Sequence, residues 1–299
     1  MNFLKRLFKK RERPRKALVI EGGGMRGVFL TGVLQAFADH AYFPFDLIVG
    51  TSAGALVGCV YAARQIHIAR DAFFDKLSSG RFIQISNILN SERHILDLDW
   101  MIDTVLSGPE PLDTAVLKKS CPVIITATHC PYDREPETIY LNSRKDDIFK
   151  SLKATAAIPF LYKGFVSYKD YMMLDGGITD PIPFYKALEA GYKDKDILVL
   201  ATRPHGYRKK QDSFLVRALY SSYYKEPKLR YLVKSMDDLY KKYNNILDDL
   251  ENAHKDIEVI YPPADFSVEK LTTDIKKLLE GFEQGILAGN DYIRRTRNP

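Results

Sequence analysis

The chain has 299 residues, 45% of them hydrophobic and 27% charged, which is enough apolar content to bury a full α/β core. It contains no run of 18 or more apolar residues, which excludes a membrane-spanning helix, and its three cysteines (59, 121 and 130) lack metal-ligand spacing and read as reduced thiols of a cytoplasmic protein. The formal charge is +6, yet residues 1–16 carry +7 and the remainder −1, so basicity belongs to a tail and a broad nucleic-acid-binding face is excluded.

Within that tail Phe3, Leu4, Leu7 and Phe8 fall on one helical face, with lysines and arginines elsewhere. Such a segment is expected to lie against an anionic membrane surface, each nearby basic residue adding about 1 kcal/mol. Next, ALVIE at 17–21 reads as a strand that runs into Gly22-Gly23-Gly24-Met25-Arg26-Gly27, and 28–41 shows helical apolar spacing. A glycine-rich turn at a helix N-terminus presents backbone N–H groups and a positive dipole end, which suit a phosphate or a tetrahedral oxyanion. The glycine spacing also matches the dinucleotide fingerprint, which wants an acidic residue about 20 positions on, at the end of the second strand. Asp46 stands instead at the start of its strand, so the nucleotide reading is the weaker one.

FDLIV at 45–49 is predicted as a buried strand, followed by Gly50-Thr51-Ser52-Ala53-Gly54 and a helix over 55–69. In G-x-S-x-G the serine occupies a sharp strand-to-helix turn, and the flanking glycines avoid collision with the adjoining strand and helix. Ser52 is therefore the candidate nucleophile. Strands are predicted at 122–128 and 137–142, a helix at 146–157, and a strand at YMML just before Asp175-Gly176-Gly177, where two glycines let the backbone pass closely beside a carboxylate. A Pro-started helix is expected over 181–192 and a strand over 196–202. His205 then gives the order Ser52, Asp175, His205 of a triad. From about 211 a long helical zone rich in tyrosine runs to 254, EVIYPP at 258–263 reads as a late strand, and helices are expected over 267–295.

Together these residues resemble the patatin-like phospholipases. In that family a glycine-rich loop with Arg precedes a G-x-S-x-G serine, and a D-G-G or D-G-A supplies the second member of a Ser-Asp dyad. The matching positions are Gly22 to Gly27 with Arg26, Gly50 to Gly54 around Ser52, and Asp175 with Gly176 and Gly177; ATAAIPF at 154–160 is similar to the segment before the family's aspartate loop. Glu21 departs from the Asp that many members carry before the glycines. The resemblance covers residues 17–205, and beyond them the tails of bacterial members only loosely. It implies a three-layer α/β/α fold with a mainly parallel central sheet. The chain then divides into a basic amphipathic tail (1–16), a catalytic core (17–205) and a mostly helical C-terminal extension packing on the core (206–299).

The implied chemistry is acyl-ester hydrolysis of membrane phospholipids. Ser52 attacks, Asp175 accepts its proton, and the oxyanion is held by the loop of Gly22, Gly23, Gly24, Arg26 and Gly27, together with the Ala53 N–H. No cofactor and no calcium are required by a dyad, and no nucleic-acid partner is expected. The alternatives are a general carboxylesterase or acyltransferase on the same machinery, and a non-catalytic phosphate- or nucleotide-binding protein. The expected location is cytoplasmic, peripheral on the inner face of the cell membrane.

Overall fold

A computed structural model describes residues 15–90, 92–224 and 229–297, so all but the last two residues of the amphipathic tail expected over 1–16 lie outside the described residues. β1 (Ala17–Ile20) leads through the glycine loop into α1 (Gly27–Asp39). β2 (Leu47–Thr51) leads through the serine turn into α2 (Ala53–Ala62) and then α3 (Ile66–Asp71). α4 (Leu98–Met101) and α5 (Thr114–Lys119) precede β3 (Val123–His129), β4 (Glu137–Asn142), α6 (Ile148–Ala156), β5 (Val166–Tyr168) and β6 (Tyr171–Asp175). Then come α7 (Phe184–Glu189), β7 (Ile197–Leu200), α8 (Phe214–Tyr223), α9 (Arg230–Asp237), α10 (Leu239–Asn252), β8 (Glu258–Ile260) and α11 (Ile275–Arg297).

The strands form one mixed sheet. β3, β2, β1, β7 and β8 are neighbours in that order and all parallel, while β4, β6 and β5 join antiparallel at the β3 end. Successive residues of a strand point to opposite faces, and the core divides accordingly. Leu18, Ile20, Ile48, Leu198 and Leu200 enter one apolar cluster with Phe29 and Phe37 of α1, Val57 and Val60 of α2, and Leu278 and Tyr292 of α11. Ala17, Val19, Leu47, Val49, Ile197 and Val199 enter the other, against Phe184 and Ala187 of α7 and Ile246, Leu247 and Leu250 of α10. The result is the expected three-layer α/β/α arrangement. α11 crosses α1 along Gly281, Gly285 and Gly289; a Cβ at Gly285 would stand 2.2 Å from the Phe29 carbonyl oxygen, so only a bare backbone lets the two helices approach this closely.

Several element boundaries differ from the sequence expectation. The helix expected over 55–69 breaks after Ala62, where Arg64 turns to φ 64° and lays its guanidinium over the Phe43 ring; α3 then starts afresh at Ile66. The expected 181–192 helix begins only at Phe184, because Pro181 and Pro183 hold the approach out of helical geometry. Within 211–254 the described residues hold three helices, and α9 and α10 part at Asp238. The helices expected over 267–295 are one, α11, whose first turn Asp274 caps by accepting from Lys276 N–H at 2.9 Å. Residues 262–274 are instead a strap without helix or strand, turning at 264–265 and 270–271. Residues 70–121, for which the sequence pattern predicts no element, contain π turns at Ala72–Lys76 and Ile102–Leu106.

Candidate active site

The sheet register brings Ser52 and Asp175 together. β4 pairs along one edge of β3 from Ile124 to His129, so β2 and β6 must share the other edge: Thr51 of β2 is opposite Thr126, and Asp175 of β6 is opposite Ala127. β2 runs parallel to β3 and β6 antiparallel, so the two strands point at each other and end at consecutive β3 residues. The residue leaving β2 is Ser52 and the last residue of β6 is Asp175. Ser52 Oγ donates to Asp175 Oδ2 at 2.6 Å, and both side chains are buried.

Local geometry holds each partner. Ser52 has φ 54° and ψ −128°, a conformation that a non-glycine residue adopts only under constraint. Its N–H donates to Thr155 Oγ1 at 2.8 Å, and Thr155 in turn donates to the Thr126 carbonyl at 2.5 Å. The turn is closed against the glycine loop: a Cβ at Gly54 would lie 2.5 Å from the Ile20 and Glu21 carbonyl oxygens. Asp175 Oδ1 accepts from Gly177 N–H at 2.7 Å, and the Thr128 hydroxyl donates to the Asp175 carbonyl at 2.9 Å. Both carboxylate oxygens are therefore engaged. Burial pushes the Asp175 carboxyl above the ordinary range, and the Ser52 hydroxyl, the Gly177 N–H and the Lys270 charge oppose that rise.

The glycine loop lies beside this pair. Gly22 N–H donates to the Pro181 carbonyl, Met25 N–H to the Lys270 carbonyl at 3.0 Å, and Arg26 N–H to the Gly23 carbonyl. The N–H groups of Gly23, Gly24 and Ala53 donate to no group among the described residues. Gly24 turns at φ 56°, where an L side chain is strained. Gly27 opens α1, and Gly50 and Thr51 close β2, the Thr51 hydroxyl donating to the Asp180 carbonyl at 2.9 Å. Gly176 follows Asp175 in a short 3-10 turn with Gly177. Arg26 is buried, and among the described residues its Nε and Nη1 have no hydrogen-bond partner.

Glu21 has a structural role. Its carboxylate accepts from Tyr243 Oη at 2.6 Å and from Thr202 N–H at 2.5 Å, joining the end of β1 to the end of β7 and to α10. His205 packs edge-on against Tyr261 and bonds to neither Ser52 nor Asp175, so the Ser52, Asp175, His205 constellation is not assembled.

Two cavities meet at Ser52. One, of about 780 Å³, is walled by apolar side chains, among them Leu56, Val60, Phe73, Phe82, Leu98 and Met101. The other, of about 1000 Å³, is polar and includes Glu21, Arg26, Asp175, Arg203, Lys209 and Lys270. Thr155, Arg203, Lys209, Tyr243 and Lys270 are not among the residues the sequence singles out. Thr155 lies within the quoted ATAAIPF segment, whereas the others carry no local motif.

A family profile described as Patatin-like phospholipase matches residues 18–188, more than half of the chain. The chain belongs to the patatin-like phospholipase family. With that membership the dinucleotide reading of the glycine loop falls away. A second profile, a domain of unknown function, matches residues 229–298 of this patatin-like protein. The uncharacterized protein YjjU of Escherichia coli is 31% identical over 93% of this chain and 77% of its own length. The lysophospholipase NTE1 of Kluyveromyces lactis is 24% identical over 94% of this chain, but this patatin-like chain spans only 19% of that protein. Among solved structures, VipD from Legionella pneumophila superposes with a TM-score of 0.49 at 13% identity, covering 93% of this chain and 67% of that one. No helix among the described residues is long and apolar enough to cross a membrane.

Proposed function

We propose that this patatin-like protein is a phospholipase A-type acyl hydrolase working through a Ser52–Asp175 dyad. The observation that carries the reading is the 2.6 Å Ser52 Oγ to Asp175 Oδ2 hydrogen bond at the junction of an apolar and a polar cavity. An amphiphilic ester matches that junction: its acyl chain lies along the apolar walls, its headgroup faces the polar side, and its carbonyl reaches Ser52.

The steps follow from the groups present. Asp175 takes the Ser52 proton as Oγ bonds to the carbonyl carbon, and its raised basicity suits it to this task. The negative oxygen that develops is received by the unpaired N–H groups of Gly23, Gly24 and Ala53, each such donor typically worth about 2.7–4 kcal/mol of barrier. The Ser52 N–H is already held by Thr155 and takes no part. Collapse expels the alcohol, which leaves with the proton from Asp175. Water, deprotonated by Asp175, then releases the fatty acid and restores Ser52. The basic tail of residues 1–16 brings the enzyme to an anionic membrane surface.

Fatty-acid release from phosphatidylethanolamine/phosphatidylglycerol vesicles tests the reading, with Ser52→Ala and Asp175→Asn measured alongside. Release by the wild type and a loss of at least a thousandfold in each variant is the expected result. Equal release by Ser52→Ala would remove Ser52 as the nucleophile. A serine that a fluorophosphonate labels but that releases no fatty acid would point to a different acyl substrate.

A further inference from the structure

The polar cavity gathers four cations, of which only Arg203 is in contact with a carboxylate among the described residues. Arg26, Arg203, Lys209 and Lys270 all line it, opposite Glu21, Asp175 and Asp212. Glu21 is committed to Tyr243 and Thr202, and Asp175 to Ser52 and Gly177. Arg203 is neutralised by Glu269 at 3.2 Å. These carboxylates keep their charge, but among the described residues none of them, nor Asp212, forms an ion pair with Arg26, Lys209 or Lys270. Arg26 is 6% exposed with Nε and Nη1 unpartnered, and neither the Lys209 nor the Lys270 ammonium donates a hydrogen bond among the described residues.

These cations come from separate parts of the chain. Arg26 belongs to the glycine loop, Lys209 to the segment between β7 and α8, and Lys270 to the strap, whose carbonyl takes the Met25 N–H. Lys270 reaches solvent through the cavity it lines, yet protein crowds its ammonium. That crowding, with Arg26 and Lys209 adding repulsion, lowers its pKa to about 8. Arg26 is lowered by burial and then by Arg203, and Lys209 by burial, with Arg26 and Arg203 repelling it. Like charges held together with unused donors are stabilised by an anion that accepts from all of them.

We propose that Arg26, Lys209 and Lys270 form a phosphate subsite in the polar cavity that Ser52 also lines, and that the preferred substrate is a phospholipid whose headgroup adds no cation. The inference rests on the acyl-hydrolase reading and deepens it. A phosphate diester or monoester at this place accepts the free Arg26 N–H groups and both ammonium groups. A choline or ethanolamine beyond the phosphate brings a further positive charge into the same cluster, so phosphatidate and phosphatidylglycerol are preferred. The segments that supply Lys209 and Lys270 lie outside residues 18–188, so the headgroup preference is set by the C-terminal part of the chain.

The test uses the full chain and dihexanoyl phosphatidate, phosphatidylglycerol and phosphatidylcholine below their aggregation thresholds, so that attraction of the basic tail to a charged surface plays no part. The wild type is expected to show a kcat/KM at least tenfold higher for the two anionic lipids than for phosphatidylcholine. In Lys209→Met/Lys270→Met that ratio should fall toward one, whereas Lys209→Arg/Lys270→Arg, which keeps the charges, should retain it. Inorganic phosphate should compete with a nitrophenyl ester in the wild type and at least tenfold more weakly in the methionine double variant. Equal rates on all three lipids would overturn the headgroup assignment; with phosphate competition intact, they would mark a site for free phosphate instead. Unchanged preference and unchanged phosphate competition in the methionine variant would overturn the subsite altogether. Failure of the underlying hydrolase reading looks different: no ester is cleaved and Ser52 is not labelled, while phosphate binding by calorimetry still reads the subsite.

Discussion

Asp175 must be ionised to take a proton from Ser52, and burial makes its carboxylate harder to form. The sign follows directly. As pH falls through the raised pKa the base is lost, so the acid limb of kcat/KM on a soluble ester is expected at a midpoint above the ~3.9 of an ordinary aspartate. A pH–rate profile checks this, and a limb at or below ~3.9 would mean that Asp175 is not the base. At this scale the sequence was highly informative where the chemistry is local. G-x-S-x-G, the glycine loop and Asp-Gly-Gly each carry their geometry in a few neighbouring residues, so Ser52 and Asp175 stand out before any fold is known. Arg203, Lys209, Lys270 and Tyr243 do not stand out, because what gives each of them meaning is a partner far away in the chain, such as Glu21 for Tyr243.

At the scale of elements, strands and helices with one clear period were legible, and mixtures were not. β1, β3, β4 and α1 lie close to their expected places because alternation or helical apolar spacing runs through them without interruption. The walls of the apolar cavity over 70–106 combine π turns, 3-10 turns and short helices, so no single period marks them. Breaks inside helical runs, at Arg64 and Asp238, depend on backbone turns that the apolar pattern does not encode. The glycine stripe of α11 belongs to this scale as well. Gly285→Val would drive a branched side chain into the Phe29 carbonyl and Gly32, and overpacking of this kind costs about 1–3 kcal/mol, occasionally more. Thermal unfolding of the variant should show a midpoint lowered by several degrees. An unchanged midpoint would mean that the α1–α11 crossing is loose.

Across the whole molecule, charge and chemistry are separated. Ser52 directly follows β2 and Asp175 ends β6, while the excess positive charge of the sequence lies in residues 1–16. The last two residues of that tail are tied to the core: Lys16 N–H donates to Asp46 at 3.2 Å and the Arg15 guanidinium lies over the Tyr192 ring. Removing residues 2–13 leaves those ties in place. The truncated protein is expected to bind phosphatidylglycerol vesicles more weakly in sedimentation, by roughly two orders of magnitude if about three basic residues act at about 1 kcal/mol each. Unchanged sedimentation would assign surface binding to another part of the molecule.

The strap that places Lys270 against Met25 also has a consequence in time. During synthesis Asp175 is added 95 residues before Lys270, so Ser52 and Asp175 both leave the ribosome well ahead of it. The pair can meet as soon as β2, β3 and β6 associate, but the Lys270 wall of the cavity does not exist until the strap has emerged and docked. On the proposed reading a nascent chain carries Ser52 beside an unfinished pocket, and the headgroup preference arises only once Lys270 has left the ribosome and the strap has docked.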